Sequence, residues 1–240
     1  MKNVSLLSLA FILIFMSFKS FASSPSPSTN NTRNADIVMT ETDLLLFQLK
    51  DNDPFVRADA VRRLSEIADP VIVDPLIRSL KDDNNYVRAY AAEALGKIKE
   101  ASAIEHLLIM IYTDDAFVRA YAIEALGEIG DPEAVAPLIE ILDKKEGDLS
   151  SSAAWALGMI SDPRAEPSLI DALSSDQVSL QINAARALGM MRSSHAVEPL
   201  IQALKTPCCS EAAEALRTIT SLNFGEDHAK WLNWWTGIGK

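Results

Sequence analysis

Few side chains in this sequence could carry out chemistry, and their spacing fits none of the common catalytic or metal sites. The chain has three histidines, none followed by Glu, and its two cysteines, Cys208 and Cys209, are adjacent. Adjacent cysteines lack the ligand spacing of a zinc site, and a disulfide between neighbours would close a strained ring. Gly-rich phosphate loops are absent from the sequence. A Ser-His-Asp triad can assemble from distant positions, so local sequence leaves that arrangement open.

The elements that would position any site recur along the chain. The segment NNYVRAYAAEALGKI at 84–98 returns as DAFVRAYAIEALGEI at 115–129, an offset of 31 residues. The same step aligns five leucines, each followed by Gly or, in the first case, Ser: Leu64, Leu95, Leu126, Leu157 and Leu188. A period of this length is typical of proteins built from stacked helical or strand repeats.

Each period contains two helical patterns. In the second, Val87, Ala91 and Leu95 fall four residues apart and form one apolar stripe of an α-helix. The first pattern begins in three periods with Asp-Pro, a capping residue followed by the residue favoured at the first helical position. Short helices are marginal alone, so neighbouring pairs must cover one another's apolar stripes. We expect six pairs, at 41–67, 70–98, 101–129, 132–160, 163–191 and 195–219.

Prolines recur within the first helical pattern, at Pro75, Pro137 and Pro199. Proline removes one backbone donor and clashes with the preceding turn when it lies inside a helix. We therefore expect a bend in the first helix of these units.

The unit DAFVRAYAIEALGEIGDPEAVAPLIEIL resembles the short HEAT repeat of the phycobilin-lyase type, and the resemblance covers about residues 41–220. It implies an all-α fold, an α-solenoid of about six HEAT-like helix pairs whose second helices line a concave surface. It also implies that an Arg four residues after a cap ties neighbouring units together by bonding an Asp or a backbone acceptor. Arg57, Arg88 and Arg119 occupy this position, and we expect the ladder to stop after the third unit, where Ser150 and then Gln181 replace the arginine.

The end of the chain departs from the repeat. The segment FGEDHAKWLNWW at 224–235 places Trp231, Trp234 and Trp235 on one helical face and resembles a closing segment of bacterial HEAT-like proteins. Because the apolar end of a solenoid needs a cover, we predict that residues 221–240 form a capping helix. An aromatic ligand cage is the alternative.

The beginning of the chain resembles a targeting segment. A basic start at Lys2, an apolar run and small residues before Ala22 predict a secretory signal peptide over 1–22, cleaved near Ala22, with an uncleaved anchor as the alternative. Residues 23–40 are rich in Ser, Pro, Asn and Thr and are interpreted as a flexible linker. We expect a periplasmic or secreted protein with no stable membrane span after cleavage. The cysteines are interpreted as partly buried helix residues, with an intermolecular bridge as the alternative.

The net charge of the chain limits the classes of partner that it could bind. Loss of Lys2 and Lys19 with the signal peptide changes the net charge from −11 to −13, which disfavours nucleic acid and is compatible with a basic protein or peptide. HEAT-type iron enzymes of the deoxyhypusine hydroxylase kind need repeated His-Glu pairs, which this chain lacks. We assign no catalytic residue and expect no cofactor or metal.

The outward side of the second helices varies from unit to unit while the apolar stripe does not, a contrast expected of a scaffold with a recognition face. Uncontrolled drift of surface residues is the alternative. The sequence favours an exported, non-enzymatic protein-interaction scaffold, and a lyase-like or accessory subunit acting on a tetrapyrrole or protein is the second hypothesis. The predicted partner-binding residues are Phe55, Tyr86, Tyr90, Glu93, Phe117, Tyr121, Glu124, Trp155, Met159, Arg186 and Met190.

Overall fold

The chain folds into a row of antiparallel helix pairs. A computed structural model describes residues 39–67, 69–145 and 147–238, so the predicted signal peptide and residues 23–38 of the predicted linker lie outside the described residues. The first helices of the six pairs are α1 (Glu41–Gln48), α3 (Val73–Ser79), α5 (Ile104–Thr113), α7 (Val135–Asp143), α9 (Glu166–Ala172) and α11 (Val197–Ala203). The second helices are α2 (Pro54–Leu64), α4 (Asn85–Lys97), α6 (Ala116–Ile129), α8 (Gly147–Ile160), α10 (Val178–Met190) and α12 (Cys209–Thr220), followed by α13 (His228–Ile238). The described residues contain no strand, and the all-α solenoid of six pairs is confirmed.

Polar side chains fix where the second helices begin. The carboxylate of Asp53 accepts a hydrogen bond from the Phe55 amide at 2.9 Å, and Asp115 accepts one from the Val118 amide at 3.1 Å. Asn84 accepts from the first turn of α4 in the same way. Each cap satisfies an amide that has no partner inside its own helix.

The first helices start differently from the expectation. In five units a three-residue 3₁₀ turn precedes the α-helix, as at Pro70–Ile72 before α3. Pro75 is therefore the third residue of α3, in the first helical turn, where its missing N–H leaves no intrahelical bond unmade. The expectation that Pro75, Pro137 and Pro199 bend a continuous helix is wrong, because the change of geometry lies upstream, at the 3₁₀ to α junction.

Four of the second helices, α4, α6, α8 and α10, approach the following helix closely because each has a glycine opposite an alanine. A Cβ atom built on Gly127 would lie 2.7 Å from Cα of Ala156, closer than real carbon contacts allow. Gly96 and Gly158 stand in the same relation to the following helix. The glycine of the repeated Leu-Gly step therefore allows the backbones of successive second helices to come into contact.

This close approach sets the curvature of the stack. Successive second helices pack along much of their length, whereas successive first helices have little contact with each other. A row of pairs that is tight on one side and open on the other curves toward the tight side. We infer that the outward face of the second helices is the inner, concave wall.

Partly buried arginines connect the first three units. Arg57 donates two hydrogen bonds to Asp82 of the next unit, at 2.8 and 2.7 Å, and Arg88 does the same to Asp114 at 2.8 and 2.6 Å. Each arginine also caps the backbone carbonyl six residues before it in its own unit. One guanidinium thus joins two units and closes the end of a first helix.

The third arginine does not continue the ladder within the described residues. There, Arg119 donates only to the carbonyl of Ile111 in its own unit, at 2.7 Å, because Lys145 stands where the Asp of the preceding repeats would be. In the following units Ser150 and Gln181 keep the bond to a carbonyl of their own unit. Uncharged groups then carry part of the connection, as in the bond from the Asn183 amide to the Ser151 carbonyl at 3.1 Å.

The C-terminal helix closes the stack, and the predicted cap is confirmed. The Trp231 ring is fully buried, packs edge-on against Phe224 with centroids 4.8 Å apart, and donates from Nε1 to the Gly225 carbonyl at 2.8 Å. Gly225 adopts the left-handed backbone conformation (φ 56°) that turns the chain into α13. Trp234 and Trp235 are partly buried against the same core. Cys208 is buried and Cys209 half-buried at the start of α12, both as free thiols.

We predict that Gly127→Ala destabilises the protein by about 1–3 kcal/mol, because the added methyl meets the backbone of Ala156 and forces α6 and α8 apart. Thermal unfolding measures the effect. Gly237→Ala is the matched control, since a Cβ there meets no atom within 4 Å and alanine favours α13. Equal melting temperatures for the Gly127 variant and the wild type would refute the close-approach role.

We predict that Arg88→Ala lowers the free energy of unfolding by about 1–3 kcal/mol at neutral pH, since it leaves the Asp114 carboxylate without its cation. Burial favours a higher pKa for Asp114, but the hydrogen bonds from Arg88 and the Asp115 amide outweigh it and hold the pKa below its usual value. A depressed carboxylate pKa stabilises the fold above the unfolded value of about 3.9, and this stabilisation is lost as the pH falls through the folded pKa. The difference between wild type and variant should therefore shrink below pH 4.

The free energies of unfolding are measured by urea titration at a series of pH values. Arg119→Ala provides the control, because the acceptor of Arg119 is a carbonyl and does not titrate. Its effect on the free energy of unfolding should not change with pH. An identical pH profile for the two variants would contradict the ion-pair explanation for Arg88.

Candidate functional site

Four aromatic rings form a continuous cluster on the outward face of α4 and α6. Tyr86 and Tyr90 lie one turn apart on α4, and Phe117 and Tyr121 occupy the same positions one unit later. Phe117 contacts Tyr86 and Tyr121 edge-on, with centroids 5.4 and 5.1 Å apart, and Tyr90 meets Tyr121 at 6.3 Å. The 31-residue offset places these rings side by side, and we call them the aromatic cluster.

The rings of the aromatic cluster differ in depth. Tyr86 is 46% exposed and Phe117 38% exposed, whereas Tyr90 and Tyr121 are half-buried and rest on the core. Edge-to-face contacts hold the outer rings in place without covering their faces. The result is a preformed apolar shelf with two phenol groups beside it.

Carboxylates border this shelf. Glu93 of α4 is paired with Lys97 at 2.6 Å, but Glu124 and Glu128 of α6 form no ion pair within the described residues. Burial, followed by repulsion from Glu128 and Glu93, raises the pKa of Glu124 above its usual value. Burial and Glu93 also raise the pKa of Glu128, partly offset by Lys97 and Lys99. The carboxylates are thus close enough to oppose each other's ionisation.

The face continues onto α8 and α10 with larger, softer side chains. Trp155 is half-buried, and its ring edge lies 3.3 Å from the position that a Cβ on Gly127 would occupy, so the indole leans over α6. Met159 and Met190 are exposed on α8 and α10. Aromatic and methionine side chains of this kind supply contact area and adaptability in protein recognition.

The structure brings most of the predicted residues together and separates two. Phe55 is 70% exposed on α2 and makes no ring contact with the aromatic cluster among the described residues. Arg186 is engaged by Glu211 of the next unit at 3.0 Å. The sequence prediction left out Glu128, although its spacing of four residues from Glu124 places the two on one side of α6. Ser152, whose hydroxyl opposes the upward shift of the Glu124 pKa, was also left out.

Elsewhere, Ser193, His195 and Glu166 are the residue types of a catalytic triad but lack its geometry. Ser193 donates to the carboxylate of Glu166, and His195 Nδ1 lies 3.3 Å from the same carboxylate oxygen. A triad requires the nucleophile to hydrogen-bond the histidine, whereas here both groups meet the acid. The Ser193 hydroxyl also accepts from the Ala196 amide at 3.2 Å, so it caps the turn before α11.

The described residues contain neither a metal-binding cluster nor a membrane-spanning helix. Across 39–67, 69–145 and 147–238, no three His, Cys, Asp or Glu side chains converge in a geometry for a metal ion. None of the helices in those ranges combines the length and apolarity needed to cross a bilayer.

The repeats are matched by a known family. The sequence profile of HEAT repeats matches residues 42–120, 84–154 and 111–180, which together span more than half of the chain. The chain belongs to the HEAT-repeat family. The profile of the PBS lyase HEAT-like repeat matches residues 180–206, in agreement with the resemblance seen in the sequence. A comparison with curated proteins gave no significant match.

Several solved structures share this solenoid fold. A chain of the complex of CpcE and CpcF of phycocyanin lyase from Nostoc sp. PCC7120 is 21% identical, covers 88% of this HEAT-repeat chain and all of its own length, and has a TM-score of 0.60. An engineered protein is 24% identical over 76% of this chain and 98% of its own, with a TM-score of 0.55. A designed armadillo repeat protein in complex with the peptide (KR)4 is 19% identical over 75% of this chain and 100% of its own, with a TM-score of 0.53. At these identities the likeness establishes the solenoid fold alone.

Proposed function

We propose that this HEAT-repeat protein is an exported, non-enzymatic scaffold that binds a segment of a partner protein or a peptide along the outward face of α4, α6 and α8. The observation that carries the proposal is the aromatic cluster, four contacting rings of which two are exposed on a rigid helical wall. Clustered exposed rings are unusual on a solvated surface and are typical of recognition sites.

The pattern of variation between repeats supports the same conclusion. The core columns repeat one residue type and are fully buried, as in Ala91, Ala122 and Ala153. The outward column two positions after this core column changes from Glu93 to Glu124 to Trp155. A stack needs identical cores to continue, but nothing in its packing requires this change on the face.

The charges on the face favour a basic partner. Glu124 and Glu128 have no cation of their own within the described residues, and the whole chain carries a net charge of −11. A basic segment would find complementary potential here, which raises association rates and selects among partners. The designed armadillo solenoid of similar fold is itself seen in complex with the peptide (KR)4, which supports the mode of binding.

The second candidate is a lyase-like or accessory subunit acting on a tetrapyrrole or protein. The fold shared with a chain of the complex of CpcE and CpcF of phycocyanin lyase and the PBS lyase HEAT-like repeat favour it. The charge of the face opposes a tetrapyrrole, because its propionate groups are anionic and would meet Glu124 and Glu128. Visible absorbance of a bound tetrapyrrole in the purified protein would favour this candidate over the first.

We predict that a photo-crosslinking amino acid at position 121 captures a discrete partner in cells that express the full chain. The same group at position 109 is the control, since Ile109 is exposed on α5, on the opposite layer. Trp155→Ala should reduce the yield at position 121 at least severalfold by removing part of the face. Equal yields at the two positions, insensitive to Trp155→Ala, would reject the proposed face.

We predict that export in a Gram-negative bacterium removes residues 1–22. When the protein is produced with its own N-terminus, it should be recovered from the periplasm with the mass of a chain that begins at Ser23. The prediction rests on the basic start, apolar run and small residues before Ala22. Intact-protein mass spectrometry of the fractions distinguishes the forms. A cytoplasmic protein that retains residues 1–22 would refute export without affecting the binding face.

A further inference from the structure

We propose that the face of α6 contains a cation subsite, in which the guanidinium or ammonium group of an Arg or Lys on an extended partner segment lies between Glu124 and Glu128. The stem of that side chain would pack on Tyr121 and Trp155. This inference deepens the proposed function and rests on it, because it names the chemistry that the partner brings to the same face.

The two carboxylates are placed to share one cation. Glu124 and Glu128 are four residues apart on α6, a spacing that puts Cβ atoms about 5–6 Å apart on one side of a helix. Glu128 Oε2 lies over Gly96 of α4, where a Cβ would stand 2.6 Å away, so the glycine leaves a notch for this carboxylate. The arrangement holds Glu128 against the wall, one turn after Glu124.

The surrounding charges do not neutralise the pair. From α4, Glu93 adds negative charge, and its partner Lys97 is held at 2.6 Å. Lys97 and Lys99 favour ionisation of Glu128, although burial still keeps its pKa above the usual value. From α8, the group that lowers the pKa of Glu124 is the neutral hydroxyl of Ser152. Three carboxylates therefore face two lysines, and one of those lysines is already paired.

The neighbouring rings suit the stem and face of a cationic side chain. Tyr121 interacts electrostatically with Glu93 and Glu124, which places its phenol beside the carboxylates. Trp155 leans from α8 over α6. A cation within about 6 Å of such a ring gains further attraction, and a guanidinium can also stack on it.

The spacing of the helices favours an extended segment. Packed helices lie about 8–10 Å apart, and an extended chain rises about 3.3 Å per residue, so every third residue would meet a new helix. A cation at α6 therefore places an apolar residue three positions away against Trp155 and Met159 of α8, which occupy the same two columns one unit later. The partner chemistry is an Arg or Lys with a large apolar residue three positions away.

Binding should be coupled to proton release. Burial and repulsion from neighbouring carboxylates raise the pKa values of Glu124 and Glu128 in the free protein, and a bound cation acts in the opposite direction. Binding therefore releases protons at those pH values where the free protein still holds them. At higher pH, where both carboxylates are ionised before binding, the release disappears.

The test is calorimetric titration of the full chain with a ten-residue peptide that has one Arg flanked by Leu three residues away on each side. Its isostere contains citrulline, which keeps the shape and loses the charge. We expect the Arg peptide to bind at least tenfold more tightly than the citrulline peptide. The heat of binding at acidic pH should depend on the ionisation enthalpy of the buffer, and this dependence should disappear as the pH is raised.

The double variant Glu124→Gln, Glu128→Gln should bind the two peptides equally and release no protons. The control Glu105→Gln, Glu133→Gln removes the same charge from exposed positions on α5 and the turn before α7 and should behave as wild type. Equal affinity of the two peptides for wild type, or equal loss of affinity in the control, would overturn the cation subsite. If both peptides bind with equal affinity, the cation subsite is wrong but the proposed peptide-binding face remains. If position 121 captures no partner in the crosslinking experiment, the face itself is rejected.

Discussion

The Gly–Ala approach between successive second helices is the constraint on which the rest of the structure depends. A backbone can come this close only where one side lacks a Cβ, and Gly96, Gly127 and Gly158 supply that position in turn. Because the first helices have no such contact, the stack is tight on one side and open on the other. Curvature, the inner wall and the alignment of rings across α4 and α6 all follow from it.

The contacts between units show how a repeat can change its chemistry and keep its geometry. Arg57 and Arg88 each make two interactions. They donate a hydrogen bond to a backbone carbonyl of their own unit and bind an Asp of the next unit. Ser150 and Gln181 keep the first of these interactions, the bond to a carbonyl of their own unit. The local cap is needed in every unit because buried carbonyls must find donors, whereas the link between units can be made by any polar pair.

Sequence periodicity predicted the fold well because burial repeats with the helix. The apolar stripe, the Asp and Asn caps and the Trp-rich cover were all readable, since each depends on neighbouring residues. The errors concern partners that lie elsewhere in the chain. Arg119 has the same local sequence as Arg88, but Lys145 replaces the Asp that would accept its hydrogen bonds. Pro75 was predicted to lie inside a helix, but a 3₁₀ turn precedes α3 and places it in the first turn.

The candidate site was predictable in composition and less so in arrangement. A step of 31 residues predicts that Tyr90 and Tyr121 are neighbours, but it does not say that both are half-buried while Phe117 stays exposed. That depth depends on how each ring rests on the next helix, which the Gly–Ala approach controls. The same approach clears the notch at Gly96 that receives the Glu128 carboxylate. A residue required for packing therefore also shapes the charged part of the face, and so the scaffold and the recognition surface of this protein are not independent.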